Sequence, residues 1–186
     1  MAKKPAQAGA AVSLKVTLDH IRPPIWRRLA LPASMTLGGL HRTLQRAMGW
    51  HGGHMHAFDV GGEQYGDPDE EMEDCGNEER LTLAGLAKKG VKRFRYTYDF
   101  GDTWDHTILI EAKAPPPGVG AKPTCLAGAR ACPPEDCGGP PGYDGVLAAL
   151  KAPDRPENRE LLEWVGGDYD PEAFSVEDTN ARMAAR

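Results

Sequence analysis

The first third of the chain alternates apolar and polar residues with the period of a β-strand. Residues 12–18 put four apolar side chains on one face and three polar ones on the other, which predicts a half-buried strand. After a break at Pro23 and Pro24, residues 25–31 predict a second strand, and the short connection favours an antiparallel pair. Residues 54–60 predict a third strand, followed by two glycines that turn the chain.

Helical spacing begins after the second strand. Thr36 is a suitable N-cap for a helix that ends at Met48, and Gly49 provides a C-terminal stop. Further helices are predicted at residues 81–89, 143–151, 156–165 and 175–183. At the start of the last one, Ser175 and Asp178 have the spacing of a capping box.

A β-hairpin is the clearest pattern in the middle of the chain. Residues 93–99 alternate with three aromatic side chains on one face, and residues 104–112 return after a turn at residues 99–102. The acidic residues 67–79 lack periodicity and predict a loop. Residues 113–124 are rich in proline and glycine and predict a linker.

The order of these elements predicts an α+β fold. We expect a mixed or antiparallel sheet with a β-β-α-β start in the order of a β-grasp core, then the hairpin, then C-terminal helices packed on the sheet. A chain of 186 residues is long enough for one well-buried core. Residues 1–11 are expected to be a disordered tail, and residues 12–186 a single domain.

Composition excludes two classes of protein. Hydrophobic residues make up 40% of the chain, which is too many for a disordered protein. No apolar run approaches the roughly 20 residues that span a bilayer, so a membrane protein is not expected. No apolar stretch follows Lys3 and Lys4, so a secretory signal is not expected at the N-terminus, and a cytoplasmic location is expected.

The net charge of −5 conceals two segments of opposite sign. Residues 22–50 contain five arginines and no acidic residue, whereas residues 59–79 contain ten acidic residues and no basic one. The basic segment, with Trp26 and Trp50, could contact nucleic acid through phosphates and stacking, or the two segments could neutralise each other. Because the pI of about 5.7 is low for a nucleic-acid-binding domain, neutralisation is preferred and a protein partner is expected.

Three of the four cysteines lie in one segment. Cys125, Cys132 and Cys137 are separated by six and four intervening residues, and Cys75 or His106 could supply a fourth ligand. Thiolates bind zinc well, and a structural zinc site uses four cysteine or histidine ligands. The spacing matches no CxxC knuckle, so a structural zinc ion, free thiols and a redox pair all stay open.

Histidines form two further candidate sites. His54 and His56 share one face of the third predicted strand, which brings two imidazoles together either as metal ligands or at the edge of the core. His106 lies on an apolar strand face beside the turn that holds Asp99 and Asp102. A carboxylate-held imidazole suits general-base catalysis, and it is equally a structural hydrogen bond.

The most unusual stretch is residues 132–139, with the sequence CPPEDCGG. Two prolines restrict the backbone, and two glycines permit a close approach to another part of the chain. Glu135 and Asp136 present carboxylates, which could bind a cation or a basic partner. The alternative is that the segment docks on the sheet and has a structural role.

Five ordered segments resemble one protein family. They are residues 21–28, 40–50, 98–106, 132–143 and 170–174. Together they resemble the plasmid pRiA4b ORF-3-like family, whose members are often labelled insertion-element passenger proteins of TnpR type, over residues 12–183. The resemblance implies a compact α+β fold and brings no established activity.

The TnpR label suggests a resolvase, which needs a nucleophilic serine close to arginines. The chain has three serines, at positions 13, 34 and 175, and Ser13 lacks the flanking arginine and glutamine expected of a resolvase. No Arg/His/Arg set with a tyrosine has the spacing of a tyrosine recombinase either. Recombinase activity is therefore not expected.

These patterns leave three functional hypotheses. The leading one is a non-enzymatic binding or interaction module, in which the cysteine segment is a candidate structural zinc site. The second is a metal-dependent hydrolase, which requires His54, His56, His106 and an aspartate to converge in one pocket. The third is a nucleic-acid accessory protein associated with mobile elements.

Overall fold

Eight strands in a single sheet form the framework of this computed structural model, which describes residues 10–70, 72 and 74–185. The strands are β1 (Ala11–Leu18), β2 (Ile25–Pro32), β3 (His56–Val60), β4 (Glu63–Gly66), β5 (Gly76–Asn77), β6 (Arg93–Tyr98), β7 (Trp104–Ile110) and β8 (Thr124–Ala129). The helices are α1 (Leu37–Met48), α2 (Leu83–Lys88), α3 (Gly139–Lys151), α4 (Arg159–Val165) and α5 (Val176–Ala184). The α+β class is confirmed. Most of the predicted N-terminal tail, residues 1–9, lies outside the described residues.

The strand order across the sheet is β5-β4-β3-β6-β7-β1-β2-β8. Neighbouring strands are antiparallel except for β4 and β5, which pair in parallel and make the sheet mixed. The β-grasp order is not confirmed, because β6 and β7 lie between β3 and β1. The hairpin strands therefore form the middle of the sheet.

The two faces of the sheet differ in polarity, as cross-strand pairing shows. Val16 lies opposite Ile108 on one side and Arg27 on the other, and this row faces the buried core. Lys15 lies opposite Arg28 and Leu109, and that row is on the outer face. Since side chains alternate along each strand, the alternation seen in the sequence sorts directly into core and surface.

Helices α1, α3 and α5 cover the core face. In α1 the Thr36 side chain accepts a hydrogen bond from the backbone of Gly39, and Gly49 ends the helix with φ of 89°, as the sequence predicts. The Asn180 side chain of α5 bonds to both backbone groups of Cys125 in β8, at 2.7 and 3.0 Å. None of the helices in the described residues has the length and apolar character needed to cross a membrane.

Some elements differ from the prediction. Strand β4 follows the predicted turn, in residues for which no element is predicted, and β5 lies within the predicted loop 67–79. Strand β8 begins at the end of the predicted linker and includes Cys125. β8 has the sequence TCLAGA, which lacks the β-branched alternation typical of strands and depends on pairing with β2. The third strand begins at His56, so His54 lies in the loop before it.

Candidate functional site

Three loops that are distant in sequence meet at one edge of the molecule. They are the loop before β3, which carries His54, the β6–β7 turn, which begins at Asp99, and the segment 132–139, which carries Asp136. The Asp99 backbone is left-handed, with φ of 56°, and its Oδ1 accepts bonds from the amides of Gly101 and Asp102. That turn fixes the carboxylate and leaves Oδ2 directed at His54.

The segment 132–139 is fixed in place by polar contacts to two other loops. The indole of Trp50 donates to the carbonyl of Pro133 at 2.9 Å. The carboxylate of Glu135 accepts from the Tyr98 hydroxyl at 2.6 Å and from the backbone amide of His51 at 2.8 Å. These bonds explain why a segment with no regular structure holds a defined position.

The two glycines of the segment allow it to touch the β6–β7 turn. The amide of Gly138 donates to Asp102 Oδ2 at 3.1 Å. Gly139 has φ of 66°, and a Cβ at this position would overlap the carbonyl of Asp102. Of the two interpretations of the CPPEDCGG stretch, docking on the sheet is therefore observed, and Asp136 is carried to the site by it.

His54 lies between two carboxylates. Its Nε2 is 2.9 Å from Asp136 Oδ1, and its Nδ1 is 3.8 Å from Asp99 Oδ2. One ligand atom from each of the three residues lies within 4.8 Å of the other two, which is the only such histidine, cysteine and carboxylate group in the described residues. The side chains are 37% (His54), 12% (Asp99) and 65% (Asp136) exposed, so the group is open to solvent on one side.

Two ionisable neighbours stay protonated near neutral pH. Burial, followed by the hydrogen bond to Glu135, raises the pKa of Tyr98, so its hydroxyl remains a donor. Burial, followed by the charge of Asp102, raises the pKa of the Cys137 thiol to about 12. Cys137, which follows Asp136 in the sequence, is therefore not a thiolate at neutral pH. The metal ligands available in this group are the imidazole of His54 and the carboxylates of Asp99 and Asp136.

The predicted cysteine site is not assembled in the structure. Among the described residues, no three ligand groups that include a cysteine come together. Cys132 accepts a bond from Arg27 at 3.3 Å and touches the sulfur of Met48 at 3.1 Å, whereas Cys125 lies in β8 beside Asn180. The geometry gives no support to a zinc ion held by these thiols, and that ion stays an untested prediction.

The histidines of the other predicted sites also lie apart. His56 bonds through Nε2 to Glu78 at 2.8 Å, with both side chains buried, and its ring stacks on His41 at 3.6 Å. Strand β3 begins at His56, so His54 lies in the preceding loop and the two side chains do not share a strand face. His56 therefore belongs to a different cluster from His54. The hydrolase arrangement, which needs His54, His56 and His106 together, is not formed by these contacts.

His106 lies in the core rather than at the hairpin turn. It is fully buried, and its Nδ1 lies 3.3 Å from the carbonyl of Tyr96. Burial lowers its pKa to about 4. The hydrogen bonds of the described residues include none between His106 and Asp99 or Asp102, so the predicted carboxylate-held imidazole is replaced by the pair of Asp99 with His54.

All three residues of the group carry a sequence prediction, but each was assigned to a different site. His54 was paired with His56, Asp99 with His106, and Asp136 with Glu135. The structure also contains a cluster of the buried His56 and Glu78 with the half-buried His41, which the sequence does not indicate because His41 lies on the polar face of an otherwise ordinary helix.

Comparison with known proteins gives the family. The profile of the plasmid pRiA4b ORF-3-like protein family matches residues 10–178. The uncharacterized protein y4hQ of Sinorhizobium fredii is 41% identical over 174 residues, covering 92% of this chain and 89% of the relative. A crystal structure of a protein of unknown function, MM3350 from Methanosarcina mazei Go1, has a TM-score of 0.81 and 34% identity, covering 90% of this chain and 96% of that one. The chain therefore belongs to the plasmid pRiA4b ORF-3-like protein family.

Proposed function

We propose that the protein is a non-enzymatic binding module that holds one divalent metal ion between His54, Asp99 and Asp136. The observation that carries this proposal is the convergence of one imidazole and two carboxylates, from three separate loops, within 4.8 Å. The ion would link the loop before β3, the hairpin turn and the segment 132–139. It would thus stabilise a surface made of all three loops.

Zinc is the preferred ion. Imidazole nitrogen together with carboxylate oxygen suits zinc better than calcium or magnesium, which select oxygen ligands. Tetrahedral zinc places its ligand atoms about 3.4 Å from one another, so the separations of up to 4.8 Å in this group would need to shorten by up to about 1.4 Å. Because His54 and Asp136 are partly exposed, small side-chain movements suffice, and water can fill the fourth position.

A binding module is favoured over a hydrolase because of what surrounds the group. Five surface cavities in the described part of the chain are lined by residues other than His54, Asp99 and Asp136. His56 and His106, which the hydrolase would use, bond elsewhere. Three protein ligands do leave one coordination position open, and an assay of metal-loaded protein on activated esters separates the two functions.

A protein partner is favoured over nucleic acid. Two large apolar side chains, Met55 and Phe100, are 38% and 46% exposed directly beside His54 and Asp99 in the chain. Exposed apolar side chains with polar residues around them are typical of protein interfaces. By contrast, three of the five arginines of the basic segment are engaged within the protein: Arg28 pairs with Glu111, Arg42 pairs with Glu79, and Arg27 is buried in the core.

Zinc titration of chelator-free protein tests the metal site. The parent protein should bind about one zinc ion, and His54→Gln or Asp136→Asn should weaken binding by more than about tenfold. His51→Gln is the matched control, because His51 is 87% exposed near the group but is not one of the three residues. A parent that binds no zinc, or variants that bind it as tightly as the parent, would disprove the proposal.

Cysteine variants distinguish this site from the cysteine site. Cys125→Ser and Cys137→Ser should retain zinc binding if the ligands are His54, Asp99 and Asp136. Loss of zinc in the cysteine variants, with retention in His54→Gln, would instead place the ion at the thiols.

A further inference from the structure

A cleft of about 590 Å³ opens on the outer face of the sheet and shares no residue with the proposed metal group. Its floor is formed by β1, β2 and β8, and one wall is formed by the segment after β7. The residues that matter are Ser13, Arg28, Glu111, Lys113, Pro115 and Leu126. The volume falls in the range of small-molecule sites, which is about 300–1,000 Å³.

The polar end of the cleft is a positioned arginine. Both carboxylate oxygens of Glu111 lie 3.0 Å from Arg28 Nε, which orients the guanidinium group. The hydrogen bonds of the described residues include none from the two terminal nitrogens of Arg28, whose side chain is 38% exposed. A planar guanidinium with two free donors matches a carboxylate, which it can bind through two parallel bonds.

A serine side chain lines the same cleft. Ser13 lies on the outer face of β1 opposite Ala30, and the residue as a whole is only 4% exposed. The described hydrogen bonds include none to its side chain. A serine hydroxyl both donates and accepts hydrogen bonds, so it can donate one to a ligand in the cleft.

The rest of the cleft is mainly apolar and fits the body of an amphipathic molecule. Pro115 and Pro116 form a rigid wall, because proline fixes the backbone, and Leu126 lies on the sheet side. Two cations, Arg28 and Lys113, and one anion, Glu111, are the charged residues of the lining, so its net charge is +1. A single negative charge on the ligand would balance it.

We propose that this cleft binds a small amphipathic monocarboxylate. The carboxylate accepts bonds from the terminal nitrogens of Arg28 and from the Ser13 hydroxyl. The apolar body packs between Pro115 and Leu126. This site is independent of the proposed metal group, since it shares no residue with it.

Titration with octanoate, followed by backbone amide NMR, tests the proposal on the full chain. Saturable shifts should be confined to the cleft, including the amides of Ser13, Arg28 and Leu126. Octan-1-ol, which has the same apolar body without the charge, should bind about tenfold more weakly, because it lacks the charge-assisted bonds to arginine.

Arg28→Gln should weaken octanoate binding by about tenfold for the same reason. Arg93→Gln is the matched control, because Arg93 is an exposed arginine in the same sheet and its loss changes the net charge equally. Circular dichroism verifies that both variants are folded. The proposal is overturned if shifts do not saturate by about 10 mM octanoate, if octan-1-ol binds equally well, or if Arg28→Gln and Arg93→Gln behave alike.

Discussion

Arg27 shows how a single residue can place a charge inside the core without a carboxylate partner. Its side chain is 2% exposed and donates to the carbonyls of Trp26, Ala47, Ala129 and Arg130. Its guanidinium also lies over a phenylalanine ring at 4.5 Å. The carbonyl groups solvate the guanidinium in place of water. The same hydrogen bonds join β2 to the end of α1 and to β8.

Arg27→Met should therefore lower the free energy of unfolding by about 3 kcal/mol, because several buried carbonyls lose their donor at once. Arg46→Met is the matched control, since Arg46 is exposed, and it should change stability by less than about 0.5 kcal/mol. Urea unfolding followed by circular dichroism gives both values. Equal effects of the two substitutions would contradict this account of Arg27.

Buried histidines should make the protein sensitive to acid. Burial lowers the pKa of His106 to about 4 and that of His41 to about 3, against about 6.5 for an unfolded histidine. Below about pH 6.5 the unfolded chain gains protons that the folded protein does not accept, so the stability present at neutral pH is lost as the pH falls from about 6.5 towards 4.

His106→Phe removes one of these groups. Between about pH 7 and pH 5, the loss of stability should be smaller in the variant than in the parent by about 2 kcal/mol. His20→Asn, which removes an exposed histidine, should behave as the parent does. Urea unfolding at the two pH values measures the difference, and an unchanged pH dependence in His106→Phe would show that His106 is not the source.

At the scale of single residues, the sequence indicates which side chains are chemically suitable but not which other residues they contact. His54, Asp99 and Asp136 were each recognised as chemically suitable residues, yet their contacts span 45 and 82 positions of the chain. Local pattern determines which face of a strand a side chain occupies. It does not determine which distant loop lies against that face.

At the scale of elements, the segment 132–139 is held by docking rather than by regular structure. Its glycines touch the β6–β7 turn, its Glu135 bonds to Tyr98, and helix α3 begins at its last residue, Gly139. The position of Asp136 therefore depends on backbone contacts made by neighbouring residues.

Gly139→Ala should separate the segment from the turn, because a Cβ would overlap the carbonyl of Asp102 and the residue has φ of 66°. We expect a loss of about 2 kcal/mol in stability and weaker zinc binding. Gly145→Ala is the matched control within α3. A Cβ there meets open space, so the substitution should stabilise the helix by up to about 1 kcal/mol. Thermal unfolding and zinc titration of both variants check this, and a Gly139→Ala protein that matches the parent would refute it.

The elements predicted correctly are those with strong local patterns. Alternation identifies β1, β2 and the β6–β7 hairpin, and capping residues identify α1 and α5. The elements missed, β4, β5 and β8, are short or contain glycine, and they become strands by pairing with a neighbour. Their formation depends on tertiary contacts, which no local window of sequence contains.

At the scale of the whole molecule, the order of the strands links the two halves of the chain. β6 and β7 come from the second half and lie between β3 and β1, which come from the first. The alternating pattern predicts each strand separately and contains no information about this order. The β-grasp order is not confirmed, because that expectation uses the order of elements along the chain alone.

A fragment of residues 10–92 should consequently fail to fold. It retains β1 to β5, but the central strands that join the β1–β2 pair to the β3–β4 pair are absent, so their apolar faces lack neighbours. The expected amide NMR spectrum is poorly dispersed, and the full chain is the control. A dispersed, cooperatively unfolding fragment would contradict the linking role of β6 and β7.

The side chain of Asn180 has a consequence for how copies of the protein can meet. It occupies both backbone groups of Cys125 at the margin of β8, and Ala129 in the same strand accepts a bond from Arg27. The opposite margin of the sheet is β5, which has only two residues. Neither margin offers a long row of free amides to a foreign strand, so the protein should resist fibril-type growth, and any self-association should use its loops or faces.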